Sequence, residues 1–376
     1  MSREILATCQ GVDTTDWKAM WITMTTYTAT TYTRVVVKLG TGLLTGADNR
    51  LDRERVAALV ASLATISGTG VPACELILVS SGAIAAGMGE MGFEKRPKTL
   101  PELQACAAVG QTRLMSLYES LFAQRNRHIA QILLTHEDLR DRDRHLNARN
   151  TLLTLLGRGV VPIINENDTV AVEEIKFGDN DRLAALVATL VGADLLVILT
   201  SVDGLLDQDG KVVSRVEKID AKITKLARGA GSETSIGGMI SKLEAAKIAT
   251  RAGIPTVIAN GTKANSLARV FAGEEERTFF AAESSRMESR KRWIAFFHKP
   301  AGALVVDDGA KAALQDGGKS LLAKGVKKTI GQYKKGDVVS IRDENGVEFA
   351  RGLAKVGGDG LKGATVIVHR DDLVIL

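Results

Sequence analysis

From Arg34 onward, short and nearly continuous apolar runs alternate with longer amphipathic stretches. The runs at 34–39, 75–80, 160–164, 194–200 and 255–259 have the unbroken aliphatic character of parallel strands covered on both faces, not the alternation of a half-solvated sheet. Between them apolar residues return every three or four positions. Val56, Leu59, Val60 and Leu63 share one helical face, and Leu183, Leu186, Val187 and Leu190 share another. Strands joined through such helices predict an α/β fold, a doubly wound, mostly parallel sheet sandwiched by helices. Ligands of these sheets sit beyond the carboxyl ends of the strands, so the loop after each strand is where chemistry is expected.

The ends of the chain have a different texture. Residues 1–33 carry seven threonines between Thr23 and Thr33 and no sustained hydrophobic period, which predicts a poorly ordered leader. Glu4, Asp13 and Asp16, with no apolar core, do not fit a targeting segment. After an α/β domain over 34–280 comes a charged linker at 281–298. Short strand candidates then follow at 304–306, 338–341, 347–353 and 364–368, separated by Gly- and Asp-rich turns, so 299–376 is expected to be a small β-rich domain.

A chain that is 45% hydrophobic and 25% charged can bury a core, and no apolar run approaches the roughly 18 residues of a membrane-spanning helix. Cys9, Cys74 and Cys106 are scattered and form no C-x-x-C pair, so neither a disulfide framework nor a zinc site is indicated and a cytoplasmic setting is expected. The net charge of +5 invites a nucleic-acid reading, but its location narrows that reading. Residues 286–376 hold 17 Lys and Arg against 11 Asp and Glu, a net of +6, which leaves −1 for everything before them.

Four loops could carry chemistry. Lys38-Leu39-Gly40-Thr41-Gly42 follows the first strand, and its glycines and lysine suit a phosphate, although glycine after a strand also simply turns the chain. Ser80-Ser81-Gly82-Ala83 opens a small-residue segment suited either to an anion or to close helix packing. The densest cluster follows the 160–164 run: Asn165-Glu166-Asn167-Asp168, then Phe177-Gly178-Asp179-Asn180-Asp181. Such acids and amides can hold an ammonium group, orient a carboxylate, or organise lysines and magnesium, and they are also common turn formers. Gly237-Gly238-Met239-Ile240-Ser241-Lys242 leads into a helix and reads as a second phosphate cradle or as a solvated basic face. No P-loop sequence is present, and no nucleophile and base pair stands out in these loops. Phosphoryl transfer fits the set, because it asks for positioning and charge neutralisation more than for covalent protein chemistry.

These loops, with Ala108-Val109-Gly110-Gln111 and Leu146-Asn147-Ala148-Arg149-Asn150, resemble the glutamate 5-kinases of the amino-acid kinase fold, and the tail is similar to the PUA domain many of them carry, at Leu321–Val326 and Val368–Asp372. The resemblance implies ATP-dependent phosphorylation of L-glutamate, with magnesium bridging the ATP phosphates. It implies Lys38 and Lys242 flanking the transferred phosphoryl group and Asp181 orienting them. Glutamate is implied at Ser81, Gly82, Asn165, Asp168 and Asn180. ATP is implied at Lys38, Gly40, Thr200, Ser201 and the loop Ile236, Gly237, Gly238, Met239, Ile240, Ser241 and Lys242. The chain departs from the family at Ser201, usually Asp, and at Ile236, usually Thr. Proline feedback inhibition and a dimer or tetramer are further family expectations. The competing readings are an acetylglutamate, carbamate or aspartate kinase, and an RNA-binding protein acting through Lys324, Lys327, Lys328, Lys334 and Lys335, with Tyr333 the only aromatic nearby.

Overall fold

A computed structural model describes residues 32–46, 50–66, 74–171, 180–229, 238–263, 265–273, 277–283, 289–298, 300–358 and 365–376. The bulk of the expected leader, together with 172–179 and the Ile236-Gly237 pair, lies outside the described residues. Tyr32 and Thr33 are held by the α/β unit: Thr33 donates from its backbone N and its hydroxyl to Asp194, and the Tyr32 ring meets Phe271 edge-on.

The larger sheet contains β1 (Arg34–Leu39), β2 (Glu75–Ser80), β3 (Ile129–Leu134), β4 (Val161–Glu166), β5 (Leu195–Thr200), β6 (Arg215–Val216), β7 (Thr256–Asn260) and β8 (Arg277–Phe280), in the spatial order β3-β4-β2-β1-β5-β7-β8-β6. All the pairings from β3 to β7 are parallel; β8 runs antiparallel to β7. The five apolar runs are its central strands. β3 and β8 are not among the expected runs: both lie towards the edges, β3 largely half-buried and interrupted by Gln131, and β8 alternating buried with partly exposed residues.

The flanking helices are α1 (Arg53–Ile66), α2 (Ala83–Glu90), α3 (Leu100–Ala123), α4 (Arg142–Gly157), α5 (Asn180–Val191) and α6 (Met239–Arg251). Strand alternation divides the core in two. Val35, Val37, Leu76, Leu78, Val161 and Ile163 face α1 and α3, whereas Val36, Ile77, Val79, Ile164 and Ile198 face α5 and α6. Lys38 has the parity of Val36, and Asn165 that of Ile163. The two polar ends therefore leave the sheet on opposite faces.

Helices α2 and α3 pack with unusual closeness. A Cβ placed on Gly110 would lie 1.8 Å from the Ala83 carbonyl oxygen, and one on Gly87 would lie 1.8 Å from that of Cys106. Glycine is required at both positions because any side chain would collide with a backbone that cannot rotate away.

The C-terminal sheet has the order β10-β14-β13-β12-β9-β11, built from β9 (Gly302–Val306), β10 (Leu321–Leu322), β11 (Val326–Ile330), β12 (Val338–Arg342), β13 (Glu348–Ala354) and β14 (Val366–Ile375), with one parallel pair, β12 with β9. β14 extends well past the run expected at 364–368: it continues through the charged Arg370-Asp371-Asp372 and resumes burial at Asp372. Part of the expected charged linker is helical, Ser289–Arg292 continuing into a π-helical turn, Trp293–Phe297. Phe297 enters the α5/α6 core while Ile294 and Ala295 pack with Val338 and Val374 of the β-rich domain. Arg351 donates to the Ala295 and His298 carbonyls at 2.7 and 3.0 Å, and Arg290 and Lys355 both bind the buried Asp372. Among the described residues no helix is long and apolar enough to cross a membrane.

Candidate active site

The carboxyl ends of β1, β2, β4 and β5 and the first turns of α2, α5 and α6 converge on one polar centre. At its middle is Asp181, fully buried in the first turn of α5. Lys38 from the end of β1 reaches one carboxylate oxygen at 2.7 Å, and Lys242 from the first turn of α6 reaches the other at 3.1 Å. The Ser241 hydroxyl donates to the same oxygen as Lys242, at 2.7 Å. Burial alone pushes the Asp181 carboxyl up, but the two ammonium groups and these hydrogen bonds outweigh it and hold Asp181 below the usual carboxylate range. Lys242 is pulled below the ordinary lysine value, chiefly by burial and further by Lys38, with Asp181 opposing the shift. Two lysines and one carboxylate leave a local surplus of one positive charge, suited to an anion that gains charge during reaction.

A second cluster adjoins the first. Asn180 directs its amide nitrogen to Ser81 Oγ at 2.9 Å and to Asn165 Oδ1 at 3.0 Å, and Asn165 in turn donates to Gln111 Oε1 at 3.0 Å. All four side chains are buried. Ser81 is placed by Gly82, the residue before α2, whose φ of 101° is a left-handed conformation that glycine alone adopts without strain. Beneath Ser81, the Ser80 hydroxyl donates to the Ser81 carbonyl and sits 2.8 Å from the Tyr118 hydroxyl of α3, which pins the end of β2. Asp168 is buried in the loop after β4, and burial pushes its carboxyl up to about 7, with Arg96 partly opposing the shift.

The sequence-predicted residues therefore fall into two connected groups: Lys38, Asp181, Ser241 and Lys242, and Ser81, Asn165 and Asn180. Asp181 joins them, because it follows Asn180 in the same helical turn. On the expected nucleotide side, Thr200 ends β5, Ser201 follows it in an exposed position, Gly238 precedes α6, and Met239 and Ile240 begin that helix, with Ile240 exposed. Gly238 provides no side-chain cap to α6. The Gly40 N–H is bonded to the Leu199 carbonyl at 3.2 Å. A Cβ there would make only ordinary contacts, 3.6 Å from the Leu199 carbonyl oxygen and 3.7 Å from Lys38 Nζ. Gln111 was not identified as a site residue from its surroundings, because it lies within the long amphipathic α3 and only its three-dimensional partners distinguish it.

The amino acid kinase family matches residues 33–260, and the PUA domain matches 302–368. Over 366 residues the chain is 47% identical to glutamate 5-kinase of Caldanaerobacter subterraneus subsp. tengcongensis, covering 91% of this chain and 98% of that protein. It is likewise 47% identical to glutamate 5-kinase of Marinomonas sp. and 45% identical to that of Pseudomonas entomophila, over 91% of this chain and 97% and 98% of theirs. Identity at this level along nearly the whole of each relative, with both domains matched in order, shows that the chain belongs to the glutamate 5-kinase family.

Proposed function

We propose that the chain transfers the γ-phosphoryl group of ATP to the side-chain carboxylate of L-glutamate, giving L-glutamyl 5-phosphate, the first step of proline biosynthesis. The observation that carries this reading is the buried Lys38–Asp181–Lys242 arrangement at the carboxyl edge of the sheet. The acceptor is already ionised near neutral pH, so no general base is needed; the task is to bring two anions together. In this reading the two ammonium groups flank the phosphoryl group. A carboxylate oxygen of glutamate forms the new bond to phosphorus as the bond to ADP breaks, and the lysines neutralise the charge that moves to the leaving oxygen. Asp181 holds both lysines in place and keeps them apart.

Glutamate is assigned to the neighbouring cluster. Ser81, Gly82, Asn165 and Asn180 supply hydrogen-bonding groups for its carboxylates, and Asp168 supplies a negative partner for its ammonium group. ATP is assigned to Lys38, Gly40, Thr200, Ser201 and the loop 236–242. Magnesium is assigned to the ATP phosphates. The oxygens of Asp181 are engaged by Lys38, Lys242 and Ser241. An ion carried by phosphate oxygens, shielding their charge, fits such a site.

Purified protein given ATP, magnesium and L-glutamate with hydroxylamine is expected to yield a glutamate-dependent hydroxamate. Phosphorylation of carbamate or N-acetylglutamate, with none of glutamate, would overturn the assignment.

A second reading concerns the tail, assigned to 299–376 behind a linker at 281–298. Lys324, Lys327, Lys328, Lys334 and Lys335 are exposed along edge strand β11 and its flanking turns, a row suited to weak RNA phosphate binding. Tyr333 is buried in the core of this domain, so base stacking on it does not contribute.

A further inference from the structure

We propose that Gln111 is a positioning residue of the acceptor pocket, fixing through Asn165 and Asn180 the direction in which Ser81 presents its hydroxyl proton. The inference rests on the glutamate pocket assigned above and adds a residue outside it.

The relay has a defined polarity. Asn165 Oδ1 accepts the backbone N–H of Glu166 at 2.9 Å, a donor that cannot be reversed. The Asn165 amide oxygen must therefore face that N–H, and its NH2 group must find an acceptor elsewhere. Gln111 Oε1 is that acceptor, at 3.0 Å. With Asn165 so oriented, its oxygen also receives the Asn180 amide at 3.0 Å, and the remaining hydrogen of that amide is aimed at Ser81 Oγ at 2.9 Å; the Ser80 carbonyl is more distant, at 3.4 Å. Ser81 Oγ is thus used as an acceptor on its Asn180 side. Its own O–H is turned away from Asn180, available to donate to a substrate carboxylate.

Gln111 reaches this position because of its neighbour. Gly110 brings α3 within backbone contact of the first turn of α2, directly beyond Ser81-Gly82. Asn165, on the α3 side of β4, is carried towards it by strand parity. Removing the Gln111 oxygen leaves a buried Asn165 N–H without an acceptor. Asn165 is then held by the Glu166 N–H alone, with its NH2 group unsatisfied, so its oxygen is directed less firmly at Asn180 and the Ser81 hydroxyl is less firmly oriented.

Steady-state kinetics of Gln111→Met, Ser81→Ala and the double variant test the relay, with thermal unfolding followed alongside. Gln111→Met is expected to raise the glutamate KM about tenfold or more, the equivalent of about 1.4 kcal/mol, with kcat and the ATP KM within about twofold of the parent. In the Ser81→Ala background the same change should add little, since the hydroxyl it orients is gone. Multiplicative effects of the two substitutions, or a fall in kcat at unchanged glutamate KM, would overturn the relay. An unchanged glutamate KM in Ser81→Ala alone would instead overturn the pocket on which it rests. Gln111→Glu keeps an oxygen facing Asn165 and covers the case in which Gln111→Met does not fold. Its effect should likewise be lost when Ser81→Ala is added, and multiplicative effects there would again reject the relay.

Discussion

Asp181 and Asp168 are both buried carboxylates at one site, yet their surroundings drive them in opposite directions. Asp181 lies between Lys38 and Lys242 and stays ionised, whereas at Asp168 burial outweighs the opposing Arg96 and the carboxyl is pushed up to about 7. Their substitutions should therefore read out differently. Lys242→Ala or Asp181→Asn removes or releases a charge that acts on the moving phosphoryl group and should lower kcat about 100- to 1000-fold, with a smaller change in glutamate KM. Comparable losses in both parameters would contradict that role. For Asp168 the expected signature is pH-dependent. Its ionised form is the one assigned to the substrate ammonium, so the glutamate KM should rise towards about tenfold per pH unit below about 7, and Asp168→Asn should abolish that slope. Stability runs the other way. A carboxyl raised from 3.8 to about 7 on folding contributes stability that is complete below 3.8 and is lost as pH rises through 7. Asp168→Asn should therefore raise the Tm at pH 8 while weakening glutamate binding, and a lowered Tm there would show that the ionised carboxylate is not under desolvation strain.

At the scale of elements, what was legible in the chain was decided by burial on both sides. β1, β2, β4, β5 and β7 are covered by helices on both faces and could be read as apolar runs to within a residue or two. The edge strand β3 breaks its apolar run with Gln131 and has partly exposed neighbours, and β14 runs through three charged residues; neither shows the unbroken apolar run of the central strands. The site was legible to a similar degree. Lys38, Asp181 and Lys242 stand in loops of unusual composition, but Gln111 sits mid-helix, and only the contact of α2 with α3 brings it to Asn165. That contact is testable on its own. Gly110→Ala would place a methyl group 1.8 Å from the Ala83 carbonyl oxygen and 2.3 Å from the Gly87 nitrogen, so the helices must separate. A loss of about 3 kcal/mol in denaturant unfolding is expected, with a raised glutamate KM as Gln111 moves out of reach of Asn165. Near-parent stability would mean that α3 shifts along α2 without resistance.

Across the whole molecule, charge and chemistry are separated. The net of −1 before residue 286 includes a site built from two buried lysines and a few acids, whereas the surplus of the tail is shared between the segment 286–298 and the small domain after it, where the lysines of β11 and its flanking turns are exposed. Among the described residues between them, the π-helical turn lends Phe297 to one core and Ile294 to the packing of the other. The tail lysines can therefore be altered without disturbing the kinase centre, which makes the RNA reading separable from the enzymatic one. If Lys324, Lys328, Lys334 and Lys335 meet phosphates, retention of single-stranded RNA should weaken with salt, log K falling against log salt by about 0.7 for each phosphate neutralised. Lys327 already holds Glu344 at 2.5 Å and is expected to count for less. The double substitution Lys334→Ala and Lys335→Ala should reduce the slope by about 1.4 and leave glutamate phosphorylation unaltered. Retention that persists unchanged after removal of 286–376, or a slope indifferent to these lysines, would assign the charge of the tail to a solvated surface.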